Sequence, residues 1–175
     1  MRNSLSTFLG GLLLLTWSGS AVAGARPPAK PVSLEFYSGK WFEISRTPNA
    51  GQRNCEAAST QFTSTGDDGF KVVQVCRKGG AAGPAKVFNT SGTILTGTGN
   101  AKFSMSFLGG LKKQEYWVLN RADDQSWAIM ATPGGNYVWL LARQAEMSPA
   151  AKAAALARVR SLGYAKLEFP AHPAT

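Results

Sequence analysis

The sequence predicts an all-β protein: an eight-stranded antiparallel up-and-down β-barrel with one C-terminal α-helix packed on the outside. Three observations predict it. Strand-like runs recur at short, hairpin-like intervals, with no helical pattern between them until Ser148; that spacing argues against a parallel sheet and for an up-and-down barrel. Gly39-Lys40-Trp41 opens the first run, and Tyr137-Val138-Trp139-Leu140-Leu141-Ala142-Arg143 closes the last. An indole at one end and a guanidinium at the other suit a plugged barrel floor, with Arg143 stacked over Trp41 in a cation–π contact worth about 0.5–2 kcal/mol. Finally, a single helical stretch follows the last strand. A β-sandwich is the competing all-β architecture.

The elements follow in order. Gly39 gives the backbone a tight entry to a first strand at Lys40–Thr47, which Pro48 stops; Asn49–Asn54 is a loop. The second and third strands, Glu56–Thr63 and Phe70–Cys76, are joined by the turn Gly66-Asp67-Asp68-Gly69. A glycine-rich loop, Lys78–Pro84, leads to the fourth strand, Lys86–Leu95. The fifth, Ala101–Phe107, sets Phe103, Met105 and Phe107 on one face and Lys102, Ser104 and Ser106 on the other. The sixth to eighth are Glu115–Asn120, Trp127–Ala131 and Tyr137–Arg143. Ser148 is a good N-cap, Pro149 suits the first helical position and Gly163 ends the helix. Leu156, Val159 and Leu162 form one stripe that docks the helix on the barrel's outer wall. Tyr164–Phe169 has the composition of a short edge strand.

Residues 1–23 read as a signal peptide: Arg2 supplies the positive start, Leu12–Leu15 the apolar run, and Ala21-Val22-Ala23 the cleavage signal. A transmembrane anchor is the alternative, but the apolar run is short of the ~20 residues a span needs. Gly24, not cysteine, follows the cleavage site, so a lipid-anchored N-terminus is not expected. The expected product is exported and soluble, in the periplasm or secreted, with any association with the outer membrane not through a lipid-anchor cysteine. Residues 24–33 form a proline-rich leader without a core, 34–170 one domain, and 171–175 a tail.

Of 175 residues, 19 are Lys or Arg and 10 Asp or Glu, a formal net charge of +9, which loses one with Arg2. This balance favours anionic ligands or surfaces. Nucleic acid is not the expected partner, because no basic run exceeds two residues and no nucleic-acid motif is present. In an oxidising compartment Cys55 and Cys76 read as one disulfide closing a loop of about twenty residues, worth roughly 3 kcal/mol in the chain-entropy picture; a pair of free buried thiols is the alternative.

Gly39-Lys40-Trp41, Cys55-Glu56-Ala57-Ala58, Glu115-Tyr116-Trp117-Val118-Leu119 and Tyr137–Arg143 together resemble the lipocalin family, in its branch of bacterial lipocalins and apolipoprotein D. The likeness runs from about Leu34 to Phe169. One departure is plain: where the family carries Thr-Asp-Tyr after the sixth strand, this chain has Asn120-Arg121-Ala122-Asp123-Asp124. The resemblance implies that Gly39, Trp41 and Arg143 act as a structural clasp and not as ligand contacts.

It also implies a cavity. If Arg143 reaches Trp41 in the floor, alternation turns Tyr137, Trp139 and Leu141 inward. The large set Phe103, Met105 and Phe107 faces in on the fifth strand, and Ala128 and Met130 on the seventh, leaving Trp127 outside. The family register implies inward positions at Val72 and Gln74, at Phe88, Thr90 and Ile94, and at Tyr116 and Val118. Thr60, Val72, Gln74, Phe88, Thr90, Met105, Phe107, Tyr116, Trp139 and Leu141 are therefore the candidate ligand-binding residues. Such a lining, apolar with sparse polar handles at Thr60, Gln74 and the Tyr116 hydroxyl, suits an acyl chain or flat apolar ring; a dry, filled core is the plain alternative.

In an up-and-down barrel, alternate loops share one end. Arg53, Arg77, Lys78, Lys112 and Lys113 fall at the mouth, whereas Asp67, Asp68, Asp123 and Asp124 fall at the floor. A basic rim would steer an anionic head group inward and meet an anionic membrane, with Phe107–Lys113 as a membrane-touching lip. The expected function is non-enzymatic binding, storage or transport of small hydrophobic ligands, fatty acids or lysophospholipids, in the cell envelope, by a monomer or weak dimer with no cofactor and no metal. The alternatives are an enzyme on the same barrel, for which no nucleophile–base pair is evident, and a chromophore or haem carrier, for which the sequence offers no inward His or Cys ligand and leaves a tyrosine as the open choice. Glu43 is the only acid near the inward set and is expected to support the clasp.

Overall fold

The computed structural model describes residues 24–28, 30–66 and 68–173; the segment read as a signal peptide (1–23) and Asp67 lie outside the described residues. The strands are β1 (Gly39–Arg46), β2 (Ala57–Ser64), β3 (Gly69–Arg77), β4 (Ala85–Ile94), β5 (Lys102–Phe107), β6 (Lys112–Arg121), β7 (Trp127–Ala131) and β8 (Val138–Ala142), followed by the helix α1 (Pro149–Ser161). Each strand pairs with the next, and β1 closes on β8 through Phe42↔Ala142 and Arg46↔Trp139. Closure leaves no sheet edge along the fully paired stretch.

β6 begins at Lys112 instead of Glu115, because Lys112 and Lys113 pair with Phe107 and Ser106 across a tight turn at Leu108–Gly110. Two lysines have low β-propensity and read as loop; cross-strand pairing overrides that preference. The turn after β6, where the family motif is replaced, closes through Ala122 N–H to the Trp127 carbonyl at 3.0 Å and Ser126 N–H to the Asp124 carboxylate at 3.0 Å.

Alternation divides the apolar residues into two cores. Inside the closed end, Phe36, Tyr37, Trp41, Phe62, Phe70, Val72 and Phe103 pack with Ile94, Met105, Val118 and Met130. The Tyr37 ring lies 5.0 Å from Phe70 and 5.2 Å from Phe103, in tilted and edge-on contacts. On the outer wall, Ile44, Leu119, Ile129, Val138 and Leu140 pack with Ala155, Leu156 and Val159 of α1. The helix starts where expected: the Ser148 side chain accepts from Ala151 N–H, and Gly163 follows the last turn at φ +102°. The leader differs from expectation, because Val32 belongs to the inner core and its N–H bonds the Gly99 carbonyl.

The floor is sealed by the turn 33–38 passing under Trp41. Arg143 stacks on the indole at 3.7 Å and donates to the Ser38 carbonyl at 2.7 Å and the Phe36 carbonyl at 2.6 Å. Trp41 Nε1 donates to the Tyr37 carbonyl at 3.0 Å. Gly39, at φ +96°, admits this approach; a Cβ there would lie 3.2 Å from the guanidinium. The expected edge strand after α1 is a single bridge, Glu168↔Arg46. Farther on, Ala171 N–H bonds the Glu56 carbonyl, and the His172 ring bonds the Glu43 carbonyl and packs edge-on against Phe42 on the outer wall.

At the opposite end Cys55 and Cys76 form a disulfide with their Cα atoms 5.4 Å apart, tying the start of β2 to β3. Two stability predictions follow from these ties. Arg143→Ala should cost about 2–4 kcal/mol in urea unfolding, and Arg143→Lys should not restore it, since an ammonium lacks the planar fork; a midpoint equal to wild type contradicts the clasp. Replacing both cysteines by serine should cost about 3 kcal/mol on the same measurement.

Candidate functional site

Above the aromatic floor the barrel holds an open cavity of about 320 Å³, lined in part by the loop between β1 and β2. Its wall includes Thr60, Gln74, Phe88, Met105, Phe107, Tyr116, Trp139 and Leu141. Two further candidates stand elsewhere. Val72 is fully buried in the floor core, because Tyr37, Phe62, Phe70 and Phe103 fill the taper at that depth and the cavity ends above them. Thr90 is half-buried and off the cavity wall: β4 pairs with β5 only over Ser91–Ile94, so Thr90 stands where the two strands part. Phe88, beyond that parting, reaches the rim and is 41% exposed. Tyr137 also ends at the rim, 39% exposed, with its ring 6.2 Å from Trp139.

Polar residues of the wall are absent from the candidate ligand-binding set. Glu43, Asn49 and Gln52 line the cavity. A bulge between Glu43 and Ser45 in the pairing with β8 shifts the side-chain parity of β1. Ile44 and Ser45 then both turn out, and Glu43 and Arg46, three apart, meet in an ion pair at 3.1 Å with both side chains buried. Glu43 thus belongs to the cavity wall beside the β1–β2 loop and does not support the clasp. Gln52 arrives from a 3₁₀ turn whose N-cap is Asn49, a local signal legible in the sequence, although its direction into the barrel is not. Gln52 Nε2 donates to both Glu43 carboxylate oxygens at 2.7 and 2.8 Å, and its Oε1 accepts from Trp139 Nε1 at 2.9 Å and Asn49 Nδ2 at 2.7 Å.

The electrostatics follow from burial. Desolvation pushes the Glu43 carboxyl above its ordinary 4.5, with Arg46 and Gln52 pulling it back. All three of its hydrogen-bond contacts come from N–H donors, which favour the ionised form and oppose the desolvation. Burial, with a smaller push from Glu43, takes the Tyr116 hydroxyl up to about 12, so it stays protonated. At the floor, Lys30 bonds Asp123 at 2.8 Å; the leader thereby offsets part of the acidic floor expected from the turns. The Asp123 carboxyl is held below its usual value first by that hydrogen bond.

Among the described residues no group of three or more His, Cys, Asp or Glu side chains is placed to hold a metal ion. No helix among them is long and apolar enough to cross a membrane.

The raised Glu43 value carries a sign. The folded chain binds that proton more tightly than the unfolded chain, so stability is fullest below 4.5 and falls as pH rises from there to the higher folded value. Glu43→Gln should flatten this fall in urea midpoints measured across pH; an unchanged slope would place the linkage elsewhere.

A family model described as a lipocalin-like domain matches residues 32–173. The outer membrane lipoprotein Blc of Vibrio cholerae is 25% identical over 125 residues, covering 69% of this chain and 71% of the relative. Two solved structures share the fold. Insecticyanin from the tobacco hornworm Manduca sexta superposes with a TM-score of 0.65 at 18% identity, covering 84% of each chain. Lobster apocrustacyanin A1 does so with 0.63 at 11% identity, covering 81% of each. With the barrel, the floor clasp and the open cavity in place, this match over most of its length shows that the chain belongs to the lipocalin family.

Proposed function

We propose that this lipocalin binds and carries a single-chain amphiphile, of fatty acid or lysophospholipid type, in the cell envelope, without covalent chemistry and as a monomer or weak dimer. The observation that carries the reading is the open cavity of about 320 Å³ above a sealed floor, walled mainly by aromatic and aliphatic side chains. That volume stands at the low end of the roughly 300–1,000 Å³ of small-molecule sites, which favours one slender chain over a bulky lipid. Burial of each CH₂ contributes about 0.8 kcal/mol, so a modest length of chain suffices for micromolar binding.

Lipocalins are in general binders and not enzymes, and the one histidine, His172, packs on the outer wall against Phe42, away from the cavity. The disulfide favours an oxidising compartment, and the similarity to a protein named an outer membrane lipoprotein favours the envelope. The rim supports contact with an anionic membrane. Leu108 and Leu111 are 75% and 90% exposed, and Lys112 and Lys113 adjoin them, also exposed.

The cavity is tested by filling it. Met105→Trp should lower the affinity for a fluorescent fatty acid probe more than about tenfold, as overpacking at this wall displaces the guest, while the fold persists by circular dichroism; equal binding would contradict the cavity as the site. The rim is tested by Lys112→Glu with Lys113→Glu. Uptake of the same probe from anionic vesicles should slow and lose its salt dependence. Unchanged uptake would sink the steering role.

A further inference from the structure

An apolar chain needs no polar station in the cavity wall, yet this wall carries one, and its bonding is lopsided. Every assigned contact at the Glu43 carboxylate comes from an N–H of the protein. Gln52 Nε2 donates at 2.7 and 2.8 Å and Arg46 at 3.1 Å. The guanidinium of Arg46 is not part of the cavity wall and is committed elsewhere. Its Nε donates to Glu168 at 3.2 Å, and its far nitrogen to the Cys55 carbonyl at 2.8 Å and the Gln52 carbonyl at 3.4 Å. Gln52 is locked by donors as well, from Trp139 Nε1 and Asn49 Nδ2. The N–H contacts that hold Glu43 and Gln52 are therefore all made to protein acceptors, and the Tyr116 hydroxyl is a donor that lines the cavity beside them. A carboxylate has about four lone-pair sites, and the three N–H contacts leave acceptor capacity on Glu43, which lines the cavity.

A ligand hydroxyl or amine placed there would make a charge-assisted hydrogen bond in a desolvated setting. An ionised ligand carboxylate placed there would set acceptor against acceptor, with neither oxygen solvated. Arg46 moderates the net charge but offers no donor to the guest. The groups facing Glu43 from neighbouring elements are Arg46 on β1, Gln52 and Asn49 on the β1–β2 loop, Tyr116 on β6 and, at its main-chain carbonyl, His172 on the C-terminal tail.

We propose that Glu43 and Gln52 form an acceptor station that selects amphiphiles carrying a hydrogen-bond donor, a hydroxyl or amine, on their buried part, and that keeps an ionised carboxylate out of the inner cavity. The inference rests on the binding role proposed above and adds the chemistry of the buried end of the guest. An anionic head group is then held at the basic rim, and only chain and donor pass below it.

The test uses the wild-type protein and calorimetric titration with four probes of one chain length: the alkyl alcohol, the alkylamine, the fatty acid at neutral pH and its methyl ester. The ester, which has no donor, sets the baseline for chain burial. The alcohol should bind about tenfold tighter than the ester, the amine at least as tightly as the alcohol, and the ionised acid no tighter than the ester. In Glu43→Gln the advantage of the amine should fall to near parity with the ester, while the acid gains; circular dichroism and a thermal melt check that the variant folds. If it does not fold, the wild-type series alone decides. Equal affinity for all four probes, or tightest binding of the ionised acid, would overturn the acceptor station and leave the carrier role standing. Failure of every probe, the ester included, would overturn the carrier role itself.

Discussion

The contact between Arg143 and Trp41 is the constraint on which the rest depends. A barrel of eight strands is a tube until something closes one end, and here the first and last strands supply the closure themselves. The guanidinium stacks on the indole at 3.7 Å and holds the Phe36 and Ser38 carbonyls of the turn passing beneath. With that turn fixed, Phe36 and Tyr37 are buried under Trp41 and the aromatic cluster fills the taper. A site with a sealed bottom and an open top becomes a cup, and the burial of an apolar guest in it follows from geometry and not from any reactive group.

The upper wall obeys a different rule. A single bulge in β1 converts a plain alternation into an arrangement in which Glu43 and Arg46 share a side. The pair is buried, and buried charges persist only when hydrogen-bonded. The β1–β2 loop supplies the bonds through Gln52, and Gln52 in turn orients Trp139. The C-terminal segment closes the same region from outside, where β1 and β2 diverge beyond Phe42↔Ser59: Glu168 bridges to Arg46, and Ala171 to Glu56. The mouth is thus held by a network and a disulfide, whereas the floor is held by aromatic packing and the hydrogen bonds of Arg143 and Trp41.

Much of this was legible in the sequence. The alternation of Phe103, Met105 and Phe107 against Lys102, Ser104 and Ser106 placed β5 correctly because one face must be dry and the other wet. Ser148 and Gly163 bounded the helix because caps are local chemistry. What was not legible has physical reasons. The bulge at Ile44 adds one residue to a ladder, and no composition marks it, so the pairing of Glu43 with Arg46 on one side of β1 could not be read from alternation. Val72 has the right parity for the cavity, but depth depends on how far aromatic side chains from other strands fill the taper. Thr90 lies off the cavity wall, where pairing between β4 and β5 ends beside it. Gln52 lay in a loop, where no period applies.

The central claim is that the barrel is a cup for a single-chain amphiphile, and it is tested most directly on protein taken gently from its own host. Native mass spectrometry followed by organic extraction should find one small apolar or amphiphilic molecule per chain, lost when the protein is unfolded. A barrel that emerges empty and takes up no added single-chain lipid, with Trp139 fluorescence unchanged throughout, would contradict the account.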